Sequence, residues 1–86
     1  MIDTALPRVY FDGNEGTEEN LYGLWLSKSI EDLAKIPGGP KEGMKITIYM
    51  VGEIEMDALL EWNEAWNGWT ARPIAGTVRD NNEKWD

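Results

Sequence analysis

Glu53, Glu55 and Asp57 alternate along one stretch of the chain, and paired acids are the one catalytic currency this sequence offers. Histidine is absent, which removes the usual general base and the commonest metal ligand. Cysteine is absent too, so thiol catalysis and thiolate zinc sites fall away. Serine occurs only at positions 27 and 29, where helix entry explains both. No phosphate-cradling glycine motif exists, because GNEG and PGGP lack the strand–glycine–helix setting and a suitably placed lysine. No cofactor is expected. Paired acids do cleave glycosides, but from deep clefts in larger folds. The three carboxylates are therefore expected on a solvated strand face, close enough to repel and to raise a pKa, and no catalysis is assigned to them. The loop Asp12–Asn20, DGNEGTEEN, places Asp12 and Asn14 at the first two ligand positions of a calcium loop. Thr17 stands where that loop needs glycine and Gly23 where it needs glutamate, so a solvated connection is the expectation.

Binding chemistry is better represented than catalysis. The stretch Glu61–Ile74, EWNEAWNGWTARPI, holds three of the five tryptophans. If it forms a hairpin with Trp62 opposite Trp69, then Leu60 faces Ala71 and Ala58 faces Pro73, all on one side of the ribbon. The other side pairs Glu61 with Thr70, Leu59 with Arg72 and Asp57 with Ile74. Arg72 then has Glu61 or Asp57 within diagonal reach, and Pro73, which cannot donate to a ladder, belongs at a strand end or edge. Trp62 and Trp69 become core residues in this register. Trp66 is left at the polar tip, either folded back or exposed as a binding anchor. Trp25 is expected in the core, and Trp85 loose or tucked onto the sheet. The candidate binding residues are Trp66, Arg72, Tyr49 and Tyr22.

The elements that must position these residues follow from the patterning. From Ile46 to Trp62 every even position is apolar or glycine, while the odd positions are mainly polar. Period two over seventeen residues is a strand signature too long for one strand, so Val51-Gly52 marks a turn. A rival reading makes residues 56–67 a second helix, with Gly68 as its C-cap, giving an α+β fold; the unbroken alternation favours strand. Arg8–Gly13 reads as an opening strand after Pro7, Leu21–Ser27 as a strand buried on both faces, and Ala75–Asp80 as a short final strand. One helix is predicted over residues 29–36, with Ser29 as its cap, Asp32 three residues on, and a stripe through Ile30, Leu33, Ala34 and Ile36. Pro37-Gly38-Gly39-Pro40 stops it.

With 86 residues, one small domain is expected over residues 1–80, followed by a polar tail at 81–86. The fold class is mainly β, a small antiparallel barrel or roll of five to six short strands with one short helix. Short bent strands, tight loops and the W-T-A-R-P-I strand after a glycine turn resemble the SH3-like small barrels over about Met44–Asp80.

Sixteen acidic residues against eight basic ones give a net charge of −8. A phosphate backbone needs basic contacts, so neither direct nucleic-acid binding nor binding to an anionic membrane is expected. The acidic N-terminal segment and the lack of cysteine fit a cytoplasmic protein. Together these features point to a non-enzymatic protein- or peptide-binding module whose partner has basic character. Two alternatives stand beside it. One is an acidic inhibitor that imitates nucleic acid. The other is a homo-oligomeric subunit, monomer or weak homodimer, associating through Tyr49, Val51 and Leu59.

Overall fold

The computed structural model describes residues 6–16 and 20–85. Thr17, the glycine position of the calcium-loop comparison, lies outside them. Strands run β1 (Arg8–Tyr10), β2 (Tyr22–Gly23), β3 (Lys45–Tyr49), β4 (Ile54–Asn63), β5 (Gly68–Pro73) and β6 (Arg79–Asp80), with one helix, α1 (Ser27–Ala34). They form one curled half-barrel sheet in the order β1-β3-β4-β5-β2, with β6 also on β4. The expectation of a purely antiparallel barrel is corrected: β1 runs parallel to β3 (Arg8 beside Thr47), and the remaining pairs are antiparallel.

The alternating stretch folds as its period requires. Gly52, at φ +74°, supplies the left-handed residue of the β3–β4 turn. Even-numbered Ile46, Ile48, Met56, Ala58 and Leu60 point into the core, where they meet Val9, Phe11, Leu24, Leu33, Ile36 and Ala71. The helical alternative over 56–67 is excluded, since residues 54–63 are strand and the four beyond them a turn. The β4–β5 register is the expected one, with Trp62 opposite Trp69 and Leu59 opposite Arg72. Pro73 closes β5. The same edge of β4 is continued by β6, and the Thr77 hydroxyl spans the gap by accepting from Asp57 N–H (3.0 Å) and donating to Ile74 C=O (2.7 Å).

Helix α1 starts two residues before the predicted cap, after Leu26, which offers no capping side chain. Ser29 and Asp32 serve the sheet instead. The Tyr10 amide and carbonyl face away from β3 and would be stranded in a buried setting. Asp32 Oδ2 accepts from Tyr10 N–H at 3.0 Å, and Ser29 Oγ donates to Tyr10 C=O at 2.5 Å. The buried stripe of the helix is accordingly Ser29, Asp32, Leu33 and Ile36, and Ile30 and Ala34, expected inside, face solvent.

Leu21–Ser27 is not a doubly buried strand. Only Tyr22–Gly23 pairs, with β5, before the chain turns into α1. The tail does not trail from the sheet either. Asn81, only 4% exposed, accepts from Gly52 N–H (3.0 Å) and Glu83 N–H (2.9 Å) and donates to Glu55 (2.9 Å) and Glu83 (2.8 Å). Trp85 meets the Tyr10 ring edge-on at 5.7 Å while remaining largely exposed.

Candidate functional site

Four tryptophans gather at the hairpin end of the sheet. Leu24 N–H donates to Trp69 C=O at 3.0 Å, which lays the segment after β2 beside β5 and brings Trp25 to the turn. Gly23 makes this possible, because a Cβ there would lie 2.0 Å from the Trp25 ring. Trp25 therefore leaves the core, where it was expected, and its ring packs over Gly23. Its ring stacks on Trp66 with centroids 5.5 Å apart and planes 26° from parallel, and its Nε1–H donates to Glu15 Oε2 at 3.1 Å. Trp66 both folds back and stays 55% exposed, one face on Trp25 and the rest in solvent. The turn carrying it is held by Asn63 Oδ1, which accepts from Trp66 N–H at 3.1 Å.

Trp62 and Trp69 meet edge to face at 5.4 Å. Trp69 packs against the core, but Trp62 is 42% exposed, so the expectation that both are core residues is corrected for Trp62. Its place near the end of β4 carries it past the core that Leu60 and Ala71 close.

Between this end of the sheet and α1 runs a groove of about 360 Å³. Leu24 and Leu33 form its floor. Trp25 and Trp69 wall one side, and Ile30, Ala34 and Pro40 the other. Ile30 is 55% exposed, an unusual setting for an isoleucine beside open apolar space.

The four residues singled out from the sequence do not share one site. Tyr49 is buried, its hydroxyl donating to Asp32 at 2.8 Å, with the Arg8 guanidinium 4.5 Å above its ring and Tyr10 edge-on at 5.8 Å. Burial pushes the Tyr49 hydroxyl pKa up, and the hydrogen bond to Asp32 adds to the rise. It offers no exposed patch for a homodimer. Tyr49 pairs with Glu55, whereas Trp66 lies beyond Asn63, so roughly 26 Å of strand separates the two ends. Tyr22 packs its ring on Phe11 at 4.9 Å. Arg72 forks onto Glu61 across the outer face of the hairpin, its Nη2 to Oε1 distance 3.1 Å, and this bond holds the Glu61 carboxyl below its ordinary pKa.

The carboxylate row is not a repelling cluster. Arg79 bridges Glu55 (3.0 Å) and Asp57 (3.2 Å), and Asn81 and Thr47 donate to the same two groups. Asp12 caps a short 3₁₀ turn by accepting from Asn14 N–H at 2.8 Å, which gives it a local role without calcium. Among the described residues no cluster of three or more histidine, cysteine or acidic residues could hold a metal ion. No helix among them is long and apolar enough to cross a membrane.

Sequence reasoning missed Trp25 as the stacking partner of Trp66, and Glu15 and Ile30 as residues grouped with Trp25. One signal was available: glycine two positions before a tryptophan in an extended segment clears the space on that face for the ring. Compared with family models, curated proteins and solved structures, the chain matches none. What the fold and the site define is a small half-barrel with an apolar groove beside a tryptophan cluster.

Proposed function

We propose that the chain is a non-enzymatic protein-binding module, working in a reducing compartment such as the cytoplasm, that seats an apolar segment of a basic partner in the groove between α1 and the tryptophan hairpin. The observation that carries this reading is the groove itself, an apolar space of about 360 Å³ walled by Trp25, Trp69 and the exposed Ile30. Apolar side chains left in water beside such a space gain most from a partner that covers them. Aromatic grooves on small curled sheets, the SH3-like barrels among them, take extended peptides in this way. The acidic row on β4 is already engaged by arginine, which leaves less free charge there for an imitation of nucleic acid.

The test is an NMR titration of the folded chain with short basic peptides rich in leucine or proline. Resonances of Ile30, Trp25 and Trp69 are expected to move together, and Ile30→Asp, at an exposed helix position, to abolish the response while keeping the fold. If no peptide shifts these signals at up to about 1 mM, where a complex would be worth only about 4 kcal/mol, the reading is wrong.

A further inference from the structure

We infer that the partner segment carries an arginine beside its apolar anchor, and that this arginine stacks on the open face of Trp66. The inference rests on the groove reading above and adds the chemistry of the second contact. Trp66 already has one face on Trp25, and an exposed indole face attracts a flat guanidinium, which stacks on it through cation–π attraction.

Charge at this end of the sheet is distributed to suit. Several acids already have their own cations: Glu61 holds Arg72, Glu55 and Asp57 hold Arg79, and Asp32 on α1 holds Lys28. Around the tryptophans, Glu15, Glu42 and Glu64 make no ion pair among the described residues. Glu15 is fixed against the stack by Trp25 Nε1–H, and Glu42 accepts from Trp62 N–H at 2.8 Å. Glu64 stands two residues before Trp66 in the turn. A carboxylate pinned at the rim of an indole stack has lone pairs left for a guanidinium fork, and arginine fills that geometry better than lysine. Asn67 and Gly68, which follow Trp66 in the turn, line the groove, so an apolar neighbour seated there brings the arginine within reach of the indole.

The experiment compares capped peptides that differ in one residue: arginine flanked by two leucines, the same peptide with citrulline, and the same with lysine. Citrulline keeps the shape and loses the charge. Arginine is expected to bind about tenfold tighter than citrulline, with lysine between them. In Trp66→Leu the arginine preference is expected to shrink to about twofold, while groove resonances still respond. Glu15→Gln should narrow the preference with no change in leucine dependence. Equal binding of arginine and citrulline peptides in the groove overturns this inference and leaves the groove reading intact. Failure of every peptide overturns both. Concentration-dependent dimerisation that shifts the same groove signals would put a second copy there and overturns the arginine assignment.

Discussion

Gly23→Ala is the sharpest test of how the tryptophan cluster is built. The Gly23 backbone is not in the left-handed region, so alanine meets no conformational penalty there. Its methyl would, however, sit 2.0 to 2.3 Å from three atoms of the Trp25 ring, well inside contact distance, so the indole must leave. Departure breaks the stack on Trp66, worth about 1 kcal/mol. It also breaks the bond to Glu15, worth about 1–2 kcal/mol at a half-exposed site. Part of the ring's burial is lost as well, about another 1 kcal/mol. Alanine recovers about 0.5–1 kcal/mol over glycine by restricting the unfolded chain. The net loss is about 2–3.5 kcal/mol, a large share of the roughly 5–10 kcal/mol a domain of this size has to lose.

Urea unfolding of the four chains of a double-mutant cycle, with Trp25→Ala as the second substitution, measures this. In the Trp25→Ala background the added methyl meets no ring, and Gly23→Ala should be neutral or slightly stabilising. The indole N–H resonances of Trp25 and Trp66 should shift in Gly23→Ala while the β4–β5 amides stay in place. Unshifted indole signals, or the same cost in both backgrounds, would refute the reasoning.

Asn81→Ala removes four hydrogen bonds from a buried position and should cost about 2–3 kcal/mol, with faster hydrogen exchange at Gly52; unchanged exchange there would show that the tail does not hold the β3–β4 turn. Asp32→Ala strands the Tyr10 amide and the Tyr49 hydroxyl and should cost about 3 kcal/mol, while Asp32→Asn keeps one acceptor oxygen and should cost about 1 kcal/mol; equal losses in thermal or urea unfolding would sink this account. The Glu61 carboxyl is held low by Arg72, so its contribution is present above the ordinary carboxylate value of about 4.3 and fades as pH falls through its lower folded value. The stability margin of the wild-type chain over Glu61→Gln should therefore shrink in acid, and a margin that widens would contradict the sign. Burial raises Tyr49, whose contribution is present below about pH 10 and is lost as pH rises through the higher folded value; the margin over Tyr49→Phe should shrink there in alkaline unfolding.

Local pattern carried the hairpins. Alternation from Ile46 to Trp62 sets which side chains face inward, and a slip of one residue would turn all of them to water, so the Trp62–Trp69 register could be read without coordinates. The neighbours of β1 could not. Nothing in RVYFDG says that it lies parallel to a strand that begins at Lys45. Ser29 and Asp32 have the spacing of a cap, but the stronger demand came from a sheet edge far off in sequence. Trp66 was legible as a tryptophan the hairpin does not need. Its stacking partner was not, because the meeting with Trp25 depends on β2 reaching β5. Arg72 and Tyr49, singled out as binding residues, are ordinary in type, and only their contacts show one forked onto Glu61 and the other under Arg8.

The parallel strand also sets a timetable. From β3 to β5 the chain is a meander whose contacts close short loops, while Arg8 must find Thr47 across about 40 positions. During refolding, protection of Leu60 N–H, bonded to Met44, should precede that of Thr47 N–H, bonded to Pro7; simultaneous protection in pulsed hydrogen exchange would contradict this order. Until then the outer edge of β3 stands bare, and that interval, more than the finished fold, is when the chain is open to pairing with another copy of itself.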